Sequence, residues 1–205
     1  MTLVARVLAW LTVLGADIRS LRRAASCNFG GVISGAYYDN SFGGLPTGTT
    51  SWSTGIIAVV PYMTPVALTI DRFGIVVTTL AASGTVDLHI YESLANGWPG
   101  AKLLSTTTLS TTTTGLKEAT VSFTFEAGKA YWLGMRASVG VTVKGVQLAC
   151  AKQFGLSSTD GSTSSYANGL AQNSSMAGAA PSTWGAVTVS QFGAFSPPSF
   201  RLRAV

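Results

Sequence analysis

Val4, Val7, Leu11, Leu14, Ile18 and Leu21 recur at alternating spacings of three and four, an apolar seam that repeats every seven residues. A seam this narrow cannot bury itself on an isolated helix, so it predicts an N-terminal helix over 1–25 that packs against copies of itself or docks into another protein. From about residue 55 the period changes to two. Ile56–Tyr62 is a short apolar run, Val66, Leu68 and Ile70 alternate, and Phe73–Thr79 continues after the Asp71-Arg72 step. Val86, Leu88 and Ile90 then alternate with Asp87, His89 and Tyr91, the pattern of an antiparallel strand with one wet face. Lys102–Thr108, Ala119–Phe125, Ala130–Arg136 and Val139–Ala149 follow, separated by turn residues such as Asn96-Gly97 and Pro99-Gly100. Seven or more strands at this spacing predict a mainly β fold, an antiparallel sandwich of jelly-roll type, and not an α/β fold.

Three stretches lack either period. Residues 26–54 are rich in glycine and aromatics (Phe29, Tyr37, Tyr38, Phe42) and read as an irregular connector between helix and head. The threonine-rich Thr106–Thr114 suits exposed strand faces and turns. Residues 153–184 shift to Ser, Gly, Ala and Asn, with Tyr166, Leu170, Met176 and Trp184 as anchors. Because Val187–Phe195 and Phe200–Val205 resume the strand pattern, this stretch is expected to be an excursion out of the sandwich domain, 55–205, and not a tail.

Charged residues make up only 10 % of the chain, which excludes a disordered or supercharged protein. Four arginines and one aspartate in residues 1–23 supply +3 of the formal net charge of +5, so the head is nearly neutral and the basic balance implies no nucleic-acid partner. The arginines suit a helix C-terminus. A signal sequence is the rival reading of the first 25 residues, but the positive charges Arg19, Arg22 and Arg23 follow the apolar run instead of preceding it. The uncharged stretch is about ten residues, against the ~20 that span a bilayer. Cys27 and Cys150 have no metal-ligand spacing and read as two free, partly buried thiols.

Catalytic signatures are sparse. The single histidine, His89, lies beside Asp87 on the polar side of its strand and reads as an ordinary exposed residue, without a nucleophile elbow to accompany it. The eight acidic residues are scattered singly, and no calcium loop or phosphate-binding loop occurs. No enzyme activity, metal or cofactor is expected. Tyr131 and Trp132 are neighbours on opposite faces of one strand, so one should enter the core and the other meet solvent or a neighbouring subunit. Trp98, at a turn, either folds back over the sandwich end, the commoner outcome, or stacks on a sugar ring or partner; with Tyr166 and Trp184 it forms the candidate recognition surface.

Two stretches resemble known proteins. Arg6-Val7-Leu8-Ala9-Trp10-Leu11 with Gly15-Ala16-Asp17-Ile18-Arg19-Ser20-Leu21 is similar to the opening helix of fibre-type structural proteins of tailed bacteriophages. Val86–Tyr91, Pro99-Gly100 with Leu103-Leu104, and Gly128 with Tyr131-Trp132-Leu133-Gly134 resemble β-sandwich modules of phage virion and bacterial surface proteins. The resemblance implies a virion component, commonly trimeric, held on the tail or capsid exterior by its N-terminal helix, with other virion proteins and a host-surface glycan or protein as partners. A short tail fibre or adhesin is the leading expectation. A capsid decoration, cement or baseplate protein is the second, and a carbohydrate-binding or glycan-cleaving module is the alternative of another class.

Overall fold

The computed structural model describes residues 31–40, 48–54, 56–146, 170–173, 180–184, 189–191 and 197–205. The predicted helix with its seam residues, both cysteines and Tyr166 lie outside the described residues. Thirteen strands follow one another along the described chain. They are β1 (Tyr37–Asp39), β2 (Gly48–Trp52), β3 (Ile56–Met63), β4 (Leu68–Thr79), β5 (Thr85–Ser93), β6 (Pro99–Ser105), β7 (Leu109–Ser110), β8 (Gly115–Phe125), β9 (Ala130–Ala137), β10 (Val141–Gly145), β11 (Leu170–Asn173), β12 (Val189–Gln191) and β13 (Phe200–Ala204). All pair antiparallel, in two sheets. The mainly β, sandwich-like architecture expected from the period-two pattern is therefore present.

The first sheet is organised by β4, the longest strand. One edge of β4 pairs with β8 from Leu68 to Val77. The other edge is shared end to end, first by β13 against Ile70–Ile75 and then by β10 against Val77 and Thr79, with β1 outside β13 and β2 outside β10. The Asp71-Arg72 step is a β-bulge inside this one strand. It shifts the inward phase from Leu68 and Ile70 to Phe73, Ile75 and Val77, so all five reach the same core despite the break in alternation. Thus β1 and β2, which fall in the 26–54 stretch expected to be irregular, are strands of this sheet.

The second sheet runs β12-β11-β3-β9-β5-β6, with β7 continuing beside β5. Its inward residues are Ala58, Val60 and Tyr62 on β3, Leu133, Met135 and Tyr131 on β9, and Val86, Leu88 and Ile90 on β5. They meet the first sheet in one core. Aromatic rings crowd one end of it: Phe125 lies edge-on to Tyr62 at 5.0 Å and to Tyr131 at 5.1 Å. β11 arises within the 153–184 excursion and pairs with Ile56–Val59, so the excursion returns a strand to the sheet. Beyond Val59 that side of β3 has no partner among the described residues, which is where Pro61, lacking an N–H, is tolerated.

The two ends of the sandwich differ in what they carry. At one end lie the β3–β4, β8–β9 and β5–β6 turns, joined in part by the Gly128 amide donating to the Thr64 carbonyl at 2.8 Å. Residues 31–36 enter at this end. The Gly35 amide donates to the Ala204 carbonyl and the Ala204 amide to the Ala36 carbonyl, each at 2.9 Å, while Val205 bonds Thr69. At the opposite end the β4–β5, β7–β8 and β9–β10 turns meet, with Thr111 bonded to Gly84 and Ser138 to Thr85.

Candidate functional site

The outer face of the second sheet brings together Asp87, His89, Tyr91 and Arg136. Strand register sets them in rows: Ile57, Arg136 and Asp87; then Val59, Gly134 and His89; then Pro61, Trp132 and Tyr91. A face this polar on β5 was expected to be wet. It is not, because residues 180–184 cross it. The Lys102 ammonium donates to the Ala180 carbonyl at 2.9 Å and the Tyr91 hydroxyl to the Pro181 carbonyl at 3.1 Å. Ala101 and Thr183 form an antiparallel bridge, and the Lys102 amide donates to the Ser182 carbonyl at 2.8 Å. Trp184 then turns its ring edge-on to Tyr91 at 5.8 Å. With Ile57, Val59, Tyr91, Trp132 and Ala180 it makes a second small core outside the first.

That strap corrects three expectations. Trp184 is only 7 % exposed, so it is a clamp and not part of a recognition surface. Trp132 does not meet solvent: Tyr131 fills the main core as one of the pair should, but Trp132 is buried in the second core. His89 is 2 % exposed, not an ordinary surface histidine. Gly134 makes room for this packing. A Cβ there would stand 3.2 Å from Val59 Cγ1 and 3.4 Å from the Tyr91 ring, which lies across the glycine from the next strand.

His89 shares a 2.8 Å hydrogen bond between Nδ1 and the Ser105 hydroxyl, the cross-strand residue on β6. Its Nε2 is buried without a hydrogen-bond partner. Asp87 does not serve as the orienting carboxylate, because it is held by the cross-strand guanidinium of Arg136. Burial, followed by the charge of Lys102, lowers the imidazole pKa to about 4 against the weaker opposing pull of Asp87. The ring is therefore neutral at ordinary pH and a weak general base. A hydroxyl–imidazole pair without a carboxylate behind the second nitrogen lacks the group that would stabilise an imidazolium during acyl transfer. The hydrogen bond ties β5 to β6. Ser105, Lys102 and Arg136 were not singled out as site residues from the sequence. Their contributions depend on strand register, which a single strand's pattern does not carry.

The outer face of the first sheet is open and holds a balanced charge lattice. Arg203 makes a two-pronged contact with Asp71 (2.8 and 2.5 Å), Arg201 bonds Asp39 at 3.1 Å, and Arg72 lies 3.6 Å from Glu118, which also accepts the Tyr37 hydroxyl at 2.7 Å. The Arg203 hydrogen bonds hold the Asp71 carboxyl below the usual carboxylate range. Among the described residues three arginines face three carboxylates, so the charges of the lattice balance. Among the described residues no group of three or more His, Cys, Asp or Glu could hold a metal ion.

Trp98 is the candidate recognition residue that does stand exposed, at 45 %. Its amide donates to Asn96 Oδ1 at 3.1 Å and its carbonyl accepts from Leu94 at 2.8 Å, with Gly97 between them at φ 81°, a left-handed conformation that favours glycine. The indole thus sits on a rigid turn, at the end where residues 31–36 enter. No protein-family model matches this chain, and the search of curated proteins returned no match to it.

Proposed function

We propose that the chain is a non-enzymatic structural protein of a tailed bacteriophage virion, a short tail fibre or adhesin with a jelly-roll-like head. Its N-terminal residues 1–25 form the self-associating or docking helix, as a homotrimer, and the β-sandwich is displayed for host attachment. The observation that carries this reading is the layout of the head. Residues 31–36 and the C-terminal Val205 lie together at one end, bonded through Ala204 and Thr69. A preceding helical stalk would leave the head from that end alone and keep the opposite end free. The buried polar groups of the second sheet's outer face support the same reading, since Tyr91, Lys102 and Trp184 are spent on holding the strap. The sugar-module alternative loses Trp184 from its stacking residues, because that ring is buried.

The test is the mass in solution of the full chain and of a chain lacking residues 1–25, by light scattering, with melting of both. The full chain is expected to be trimeric and the shortened one to fall towards monomer with its head still folded. A full chain that is strictly monomeric and has no docking partner for its first 25 residues refutes the reading.

A further inference from the structure

We infer that the end of the sandwich where residues 31–36 enter is an interface between copies of this chain, an apolar collar on which the heads pack against one another. The inference rests on the assembly reading above and adds a surface to it. Nine large hydrophobic side chains are exposed among the described residues, and five of them stand at this one end: Ile33 (67 %), Met63 (40 %), Leu94 (42 %), Trp98 (45 %) and Val205 (64 %). They come from different stretches of chain in both sheets. Met63 ends β3, Leu94 and Trp98 flank the β5–β6 turn, and Ile33 and Val205 border β13. Scattered exposed apolar residues need no explanation, whereas their concentration at one end does.

The chemistry of the end suits a protein interface. Interface centres are poor in unpaired charge and rich in aromatics and methionine, and the charges of the β8–β9 turn close on each other, with Lys129 2.9 Å from Glu126. The hydrogen-bonded turn that carries Trp98 pre-orders the indole, so little freedom remains to be lost on association. The occupant is a second copy because of where the chain enters. Association of the segments that precede residue 31 brings the same end of each head together, at an effective concentration of order mM for a short connection. A cyclic assembly then presents this patch repeatedly around its axis. Trp98 accordingly faces other copies.

Sedimentation of the full chain over a concentration series tests this. Three proteins are compared: the unchanged chain, the double variant Met63→Ser with Trp98→Ser, and a control with Leu80→Ser and Leu116→Ser, each checked by melting. Loss of a central Trp from an interface is expected to raise the dissociation constant about tenfold or more, and the control is expected to leave it unchanged. Oxidative footprinting of the unchanged chain gives a readout free of folding effects: Met63 and Trp98 should lose reactivity as concentration rises. An unchanged chain that is monomeric at every concentration overturns the assembly reading and the collar together. Oligomers whose dissociation constant is no higher in the double variant, or whose Met63 and Trp98 stay reactive, overturn the collar and leave the assembly reading standing.

Discussion

Replacing Trp184 by alanine should detach the strap and unroof the second sheet. An indole buries ~150–250 Å² of surface, which at ~25 cal/mol per Å² is worth about 4–6 kcal/mol. Allowing for the surface that an unfolded chain already hides lowers this to about 3–5 kcal/mol, the range seen when a buried Trp becomes Ala. Little of that loss comes from hydrogen bonding. The indole N–H lies close enough to the Tyr91 hydroxyl to favour the phenolate slightly, against the larger upward effect of burial, yet it makes no hydrogen bond of acceptable geometry. Trp184→Phe therefore separates the terms: it keeps most of the ring contact with Tyr91 and removes a buried donor whose lack of a partner costs about 1–3 kcal/mol, so it should be near neutral. The assay is amide hydrogen exchange with urea unfolding. The Lys102 amide, bonded to Ser182, reports on the strap and should exchange about a hundredfold faster in Trp184→Ala if about 3 kcal/mol of docking is lost. An unchanged Lys102 exchange rate and unfolding midpoint would show that the strap is held by its backbone bonds alone, and that the second core is incidental.

Three further substitutions probe the two sheets. His89 has a folded pKa lowered to about 4 from an ordinary value of 6.5, so between these values the unfolded chain binds the extra proton. The stability due to the neutral ring should be complete above about pH 6.5 and fall as pH drops towards 4, by about 3 kcal/mol at most. Urea unfolding across that window checks it, and His89→Phe should flatten the dependence. Gly74→Ala should cost about 2–3 kcal/mol, because the new Cβ would stand 2.6 Å from the Lys117 carbonyl oxygen of the neighbouring strand, which cannot yield. Gly134→Ala should cost about 1 kcal/mol or less, since its contacts at 3.2–3.4 Å are side-chain atoms and the lost glycine freedom offsets part of the strain. Equal unfolding midpoints for the two would contradict this ordering.

The inward residues of each sheet were legible because alternation is local. Val86, Leu88 and Ile90 reach the core as their spacing implies, and so do Leu133 and Met135. β1 and β2 were not legible. Tyr37–Asp39 has only three residues and gains its place from pairing with β13, some 160 positions away, while Gly48–Trp52 pairs with β10. Short strands of weak propensity are specified by their partners. β11 escaped for the same reason, since Leu170–Asn173 shows no alternation and is ordered by β3 and β12.

The outer face of the second sheet is the instructive case, because a signal for its burial was present and outvoted. Asp87 and His89 suggest water when β5 is read alone, and the polar reading of that strand carried over to the face. A central strand of the same sheet says otherwise: Ile56–Met63 is apolar at every position, and a strand apolar on both sides is one buried on both sides. On β9, Trp132 and Gly134 add a large ring beside a vacancy, the arrangement in which a neighbouring aromatic fills the space above a glycine. Taken across strands, the face presents Ile57, Val59, Trp132 and Tyr91, too much apolar surface to leave wet. The cover had to come from elsewhere in the chain, and among the described residues it comes from 180–184. Its composition gives no strand signal, yet it carries one proline and one tryptophan at the points where it touches Tyr91. Polar residues on such a face are then constrained to pair across strands. Asp87 takes Arg136 and His89 takes Ser105, so what reads along one strand as candidate chemistry is the cost of putting a covered face where its polar groups must still be satisfied.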